Sequence, residues 1–255
     1  DASKGGVDIY NMTCDGVGLA TVVDSFAAIE QRIVKENRLA WKQLANHLAN
    51  NFDGAEDIRL MLKNIPRYGS GDSRADWWAE RVVDLFIDLF ISKPTPLHNI
   101  NVIPGLFSHG EVNKLGKKLG ATPNGRKAYQ PISHSANPDP GFLSGGGGVI
   151  TAKANAVAST QPGRGNSSPV QIDIDKSMIN HDRGIEIVAA LIETHNKQGG
   201  TLVNINVISR DDILEAHEDP STHPDLMVRV TGYSAYFQSL SPEYRQQIVD
   251  RILDE

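Results

Sequence analysis

The sequence predicts a mixed α/β fold in which a helical first third is followed by intermixed strands and helices. Three observations carry that class. Between Gly18 and Phe90 apolar residues recur at three- and four-residue steps, the period of a helix face. The segments Val170 to Ile174 and Leu202 to Ile208 are apolar stretches of strand length. The bulk composition, 40% hydrophobic and 22% charged over 255 residues, is that of an ordinary folded chain able to bury one large core or two modest ones. There is no clean βαβ rhythm and no internal repeat, so pattern alone goes no further.

From Gly18 to Lys35, the residues Leu19, Val22, Val23, Phe26, Ile29 and Ile33 share one helical face. Trp41, Leu44, Ala45 and Leu48 continue in a second helix ending near Asn50 to Gly54, and Ile58, Met61, Leu62 and Ile65 mark a third, stopped by Pro66. Tyr68 to Ser73 reads as a flexible turn whose Asp72 or Ser73 caps the next helix, which carries Trp78, Val82, Leu85, Phe86, Leu89 and Phe90 and ends before Pro94 and Pro96. Leu97 to Phe107 reads as a strand bent or bulged at Pro104 and Gly105. Gly116 to Ser168 is rich in Gly, Pro, Ser and Asn; mostly loop is expected, with a short ordered piece around Val149 to Ala158. Then follow a strand at Val170 to Ile174, a helix from Ile185 to Gln198 ended by Gly199 and Gly200, and a strand from Leu202 to Ile208. A short helix from Asp211 to Glu218, a strand from Met227 to Thr231 and a terminal helix from Pro242 to Leu253 complete the chain.

Composition excludes several partners. Asp and Glu number 31 against 25 Lys and Arg, a net charge of −6 without any basic block, which argues against nucleic acid. Asp84 and Asp88, or Asn204 and Asn206, interrupt the longest apolar stretches, so no membrane span is expected. Cys14 is the sole cysteine; no intrachain disulfide can form, and a reducing, cytoplasmic location is expected. The chain opens on Asp1 without a signal-like segment, which suggests a piece of something longer.

Familiar catalytic templates are absent. The glycine run 145–148 leads into Val149-Ile150-Thr151 and lacks the Lys-Ser/Thr pair of a phosphate cradle. No two histidines have the spacing of a zinc helix, and His98, His109 and His134 are scattered, so no metal site is expected. Asp173 and Asp175 fall on one side of a strand and read as a solvated face. Ser133, Ser135 and Ser144 lack a nucleophile elbow. Cys14, at the mouth of the first helix, reads as a small buried apolar residue. What remains is Gly232, alone between a strand and an aromatic stretch in Val228-Arg229-Val230-Thr231-Gly232-Tyr233-Ser234-Ala235-Tyr236-Phe237. On residues alone it would supply a positive φ at a buried turn.

That segment resembles the radical-bearing loop of the glycyl radical enzymes, the pyruvate formate-lyase-like superfamily. Three further blocks are similar to the family: Gly16 to Ser25 resembles its helix entry, Gly120-Ala121-Thr122-Pro123-Asn124-Gly125-Arg126-Lys127-Ala128 its "GATPDGRKAG" loop, and Gly199 to Val207 its penultimate strand. The blocks stand in the family's order over essentially the whole chain. The resemblance implies the C-terminal part of a ten-stranded β/α barrel, with residues 1–115 in the barrel domain, 116–255 in a glycine radical domain, and the radical loop near the C-terminus. It implies that Gly232 stores a radical and that Arg229 and Tyr233 hold the loop's shape. A backbone radical is most stable when planar and conjugated with both flanking peptides, and only glycine flattens without driving a Cβ into its neighbours.

No cofactor is then bound permanently; an S-adenosylmethionine iron–sulfur activase installs the radical, and the protein buries and positions it. Enzymes of the family pass the radical to a cysteine within Gly-Cys-x-Glu or a Cys-Cys pair. No such motif occurs here, and Gly16 stands two residues beyond Cys14. The thiyl cysteine, its acidic partner and much of the pocket are therefore expected upstream, on an N-terminal remainder. The implied partners are that remainder, the activase, a second copy in a homodimer and a small-molecule substrate, with neither nucleic acid nor membrane. Gly232 to Phe237 looks like the branch of eliminases, decarboxylases and C–S lyases. The implied activity is cleavage of a C–C, C–O, C–N or C–S bond of a small organic molecule, with formate acetyltransferase activity or a non-catalytic glycyl radical carrier as alternatives. The strand around Asn99 to Leu106 has a pocket-facing counterpart in the family, which makes Asn99, Asn101 and Ile103 candidate substrate contacts.

Overall fold

Leu19 to Ile29 forms helix α1, and a π-helical turn carries it on to Lys35. The computed structural model describes residues 6, 10–92, 100–107, 110–141, 148–161, 163 and 167–254. Within α1 the buried face is Leu19, Ala20, Val23, Asp24, Ala27 and Ala28, whereas Val22 and Phe26, expected in the apolar stripe, are 42% and 41% exposed. Small residues decide this. They let α1 lie close against helix α4 (Arg74–Ser92), while the Phe26 ring sits at the shoulder, 5.0 Å from Trp78.

Helices α2 (Trp41–Ala49) and α3 (Glu56–Lys63) follow, as the periodicity requires. From the π turn, Arg32 donates to the carbonyls of Met61, at 3.1 Å, and Asn64, so a cation meets the carbonyl pole of α3. Ser73 caps α4 reciprocally: its Oγ accepts the Asp76 N–H at 3.1 Å and its own N–H donates to Asp76 Oδ2 at 2.9 Å. The expectation of a flexible turn fails at Tyr68, which is fully buried. Its hydroxyl lies 2.8 Å from Ala136 O, 3.0 Å from Ala156 O and 3.1 Å from Thr160 Oγ1, tying the turn to two distant segments.

Strand β1 (Tyr10–Asp15), hidden from the pattern by its polar residues, pairs in parallel with β2 (Ile100–Gly105). Two expectations are corrected here. Cys14 stands in β1, exposed rather than buried at a helix mouth. Pro104 causes no slip, because register continues unbroken from Cys14–Pro104 to Asp15–Gly105 in a two-stranded sheet whose edge tolerates a missing N–H.

After the short helix α5 (Val112–Gly116) comes the expected irregular stretch, but it is firmly held. In the Gly120 to Ala128 loop, Arg126 donates to the carbonyls of Gly120 (2.5 Å), Gln130 (2.7 Å) and Lys127 (3.1 Å). Gly125, at φ +84°, lies against the backbone of α3, where a Cβ would stand 2.9 Å from Arg59 O. Asn124 N–H donates to Ser25 of α1 at 3.2 Å. Further on, Ser133 and Thr21 exchange two hydrogen bonds of 2.9 Å.

Helix α6 (Val149–Ser159) leads to the parallel pair β3 (Pro169–Asp175) and β4 (Leu202–Ile208), linked by the one-turn helix α7 (Lys176–Ile179) and by α8 (Gly184–Lys197). Gly199 ends α8 at φ +101°, and Gly200 leaves room for the buried His195, whose Nδ1 lies 2.9 Å from Ala154 O. Helix α9 (Arg210–Glu218), the hairpin β5 (Met227–Arg229) and β6 (Ser234–Tyr236), and α10 (Pro242–Asp254) close the chain. Ile208, Ile213, Val228, Val230, Phe237 and Ile248 form their shared core, separate from the core around α1 and α4. The three strand pairs remain separate two-stranded sheets among the described residues.

Asp24 carries an acid–base consequence. It is buried in α1 and accepts the Tyr68 N–H at 2.8 Å. Burial, opposed by that N–H and by Arg67, pushes its carboxyl from 3.8 up to about 8. The folded chain then holds this proton more tightly than the unfolded chain, so stability is fullest below about pH 4 and is lost as pH rises towards 8. Asp24→Asn keeps an acceptor for Tyr68 and cannot ionise. It should melt above the parent by a margin that widens from about pH 5 to about pH 8, reaching a few kcal/mol at ~1.4 kcal/mol per unit. A margin that does not change with pH in thermal denaturation would show that Asp24 is not held protonated.

Candidate functional site at a C-terminal hairpin

Strands β5 and β6 pair in register Met227–Tyr236, Val228–Ala235 and Arg229–Ser234, which leaves Val230 to Tyr233 as the tip. The Val230 N–H closes it by donating to Tyr233 O at 3.0 Å. Val230 and Thr231 are buried beneath the tip, Gly232 is exposed, and Tyr233 is 48% exposed. The expectation for Gly232 of a positive φ at a buried turn is corrected on both counts. Its φ is outside the left-handed region, and among the described residues a Cβ built there would meet only the Phe107 ring, at an ordinary 3.8 Å. Neither its conformation nor the described packing asks for glycine at this position.

The base of the tip is built from side chains that sequence reading passed over. Arg251 of α10 donates through Nε to Asp173 Oδ2 at 2.8 Å and through Nη2 to Asp173 Oδ1 at 3.2 Å. The same guanidinium donates through Nη2 to Arg229 O at 2.9 Å and through Nη1 to Val230 O at 3.0 Å. Asn206 of β4 joins the set, giving Nδ2–H to Asp173 Oδ1 at 2.8 Å and accepting the Arg229 N–H at 3.2 Å. Asp173, expected on a solvated face with Asp175, has a side chain only 3% exposed, and that of Arg251 is 15% exposed. Asp175 is otherwise employed, capping α7 by accepting the Ser177 N–H at 2.8 Å. A legible clue existed: Asp173 lies between Ile172 and Ile174 in a strand buried on both faces, where a carboxylate must find a cation.

Arg229 meets the site mainly through its backbone, its guanidinium making only long contacts to Ser234 Oγ (3.4 Å) and Asn204 Oδ1 (3.5 Å). Tyr233 lies beside Gly110, whose carbonyl accepts the Tyr244 hydroxyl. Of the candidate substrate contacts, Asn99 lies outside the described residues, as do His98, His109, Ser144 and most of the glycine run 145–148. Asn101 is exposed and donates to Asn11 Oδ1 at 3.2 Å across the β1–β2 pair, and Ile103 is half-buried on the same face of β2. That strand runs towards Phe107, the neighbour of Gly232. Behind the tip, Val230, Thr231 and Arg251 line one wall of a cavity of about 520 Å³ whose other wall includes Arg126 and Asp139. Among the described residues no three His, Cys, Asp or Glu side chains converge to hold a metal, and no helix is long and apolar enough to cross a membrane.

Because Gly232 is unconstrained, Gly232→Ala should change thermal stability by less than ~1 kcal/mol. A loss of several kcal/mol in a melting experiment would mean that the tip needs glycine for structural reasons.

Comparison with known proteins meets this geometry from another side. The family model described as pyruvate formate lyase-like matches residues 1–114, and that for the glycine radical matches residues 145–238. Isethionate sulfite-lyase of Oleidesulfovibrio alaskensis is 32% identical over 240 residues, covering 92% of this chain and 28% of that protein. Trans-4-hydroxy-L-proline dehydratase of Clostridioides difficile is 26% identical over 255 residues, covering 98% of this chain and 31% of its own length. The glycerol-bound structure of the B12-independent glycerol dehydratase from Clostridium butyricum superposes with a TM-score of 0.85 at 29% identity, over 97% of this chain and 31% of that one. The chain thus spans less than a third of each of these relatives.

Proposed function

Because the chain belongs to the glycyl radical enzyme superfamily, we propose that it is the radical-storing part of a larger lyase or dehydratase, with the radical on Gly232. The observation that carries this reading is a glycine that neither backbone conformation nor packing against the described residues requires, on a tip whose base is elaborately held. Chemistry supplies the missing requirement. Loss of the α-hydrogen leaves a centre that must flatten between two peptide planes, and a Cβ would oppose that.

An activating partner of the radical S-adenosylmethionine class takes one hydrogen atom from Gly232. The stored radical then takes the S–H hydrogen of a cysteine outside this chain, and the thiyl so formed abstracts a hydrogen atom from a small organic substrate, whose radical breaks a C–C, C–O, C–N or C–S bond. The full enzyme is a homodimer of ten-stranded barrels in the cytoplasm, with residues 1–115 completing the barrel and 116–255 forming the radical domain. Asn99, Asn101 and Ile103 line its pocket, and Arg229 and Tyr233 shape the loop. The Tyr233 to Phe237 sequel and the relatives' reactions, a sulfite-lyase and two dehydratases, support elimination chemistry over formate acetyltransferase activity. Similarity that starts at residue 1 supports an enzyme portion over a small stand-alone radical carrier.

Anaerobic activation of the complete enzyme should give a glycyl doublet in electron paramagnetic resonance, absent in Gly232→Ala, and air should then cut the chain at Gly232. A doublet that survives the substitution would remove Gly232 from the reaction. Cys14, exposed on β1, is assigned no radical role. Cys14→Ala should keep the doublet and most turnover; an intact doublet with turnover abolished would instead identify Cys14 as the thiyl residue.

A further inference from the structure

We propose that Arg251 is the positioning residue of the radical glycine, setting where the Gly232 Cα–H bond points; this rests on the reading of Gly232 above. Within the tip Val230 and Thr231 are buried and the Val230 N–H bonds Tyr233 O, but Gly232 itself is loosely held. Each strand of its hairpin contributes only three residues, Gly232 is exposed, and among the described residues the one side chain that a Cβ there would meet is Phe107. A ribbon so short is not rigid by itself. Its geometry is imposed from below.

The imposition is specific. One guanidinium takes the carbonyls of Arg229 and Val230, the oxygens of the 229–230 and 230–231 peptides that precede the Thr231–Gly232 peptide, at 2.9 and 3.0 Å. The same group is fixed by two bonds to Asp173, and Asp173 by Asn206, which also holds the Arg229 N–H. Two consecutive carbonyls bonded to one planar fork cannot rotate independently, so the two peptide planes that end at Thr231 have their orientation set by β3 and α10, and the Thr231–Gly232 peptide extends from that fixed base. Arg251 reaches neither Gly232 nor its peptide oxygen and acts through the backbone. A hydrogen transfer into or out of Gly232 depends steeply on that orientation, since misplacement by about 1 Å can cost on the order of a hundredfold in rate.

The fork matters more than the charge. A lysine ammonium could keep the ion pair with Asp173 but is a point donor, without the planar spread that spans two carbonyls and a carboxylate. Arg251→Lys in the complete enzyme therefore separates the two roles. Replacing both partners, Arg251→Met with Asp173→Asn, removes the clamp without stranding a buried charge.

In both variants, amide hydrogen exchange over Val230 to Tyr233 should rise at least tenfold with α8 unchanged. Turnover per glycyl spin, which corrects for any loss of folded or activated enzyme, should fall at least tenfold. Parental exchange and parental turnover per spin in Arg251→Lys would make Arg251 merely the counter-ion of Asp173 and overturn the proposal. If the tip loosens but the parent enzyme itself shows no glycyl signal, the radical reading has failed and the positioning role falls with it, leaving a structural clamp. If the parent shows the signal and the double variant matches it in exchange and turnover, the clamp alone has failed.

Discussion

One buried guanidinium organises the C-terminal half of this protein. Taking Arg251 and Asp173 out of water is costly, and their attraction offsets that cost with help from further hydrogen bonds made by both groups. Arg251 gives its other donors to Arg229 O and Val230 O, and Asp173 accepts from Asn206 as well. Strand β3, strand β4, the hairpin and α10 therefore meet at a single charged point. The apolar contacts of Val228, Val230, Phe237 and Ile248 press these elements together, but apolar contact is not directional. The ion pair and its hydrogen bonds supply direction where these elements meet.

The same division of labour recurs in the first half. A core around α1 and α4 supplies adhesion, while polar side chains fix the irregular chain between residues 116 and 141. Arg126 gathers three backbone carbonyls, Ser133 and Thr21 exchange hydrogen bonds, and Tyr68 reaches both Ala136 and Ala156. Where the halves meet at α5 and α10, the contacts are polar: the Tyr244 hydroxyl on Gly110 O, Gln247 Nε2 on Asn113 Oδ1 at 3.0 Å, and Lys117 beside Glu243 at 3.8 Å. A loop-rich region can thus be well positioned without a strand or helix of its own, because side chains satisfy its backbone.

For the radical site proposed at Gly232, this arrangement has a functional logic. Rigid elements supply the precision: Val230 and Thr231 of the tip are buried, while Gly232 is exposed on a hairpin whose base is locked. On the proposed reading, Gly232 is selected by chemistry rather than by shape. The glycines with structural duties look different: Gly125 has a positive φ and a backbone against it, and Gly200 has the His195 ring in the space of its Cβ.

The sequence by itself determined the helices and the long strands, because their signals are local. Apolar spacing marks α1 to α4 and α8, Gly199 stops α8, and the Leu202 to Ile208 strand has the bounds its apolar run predicts. It also determined Gly232 as the candidate, since the residues around it resemble a radical loop. Tertiary structure decided what local signals cannot encode. Which face of α1 is buried depended on how closely Ala20, Ala27 and Ala28 let α4 approach. β1 exists because β2, ninety residues away in sequence, offers it hydrogen bonds. Asp173 looked like a solvated carboxylate because its partner stands 78 positions later, on another element. Long-range polar pairing leaves no periodicity in a sequence; its energy is realised only once folding brings both partners into the same low-dielectric interior.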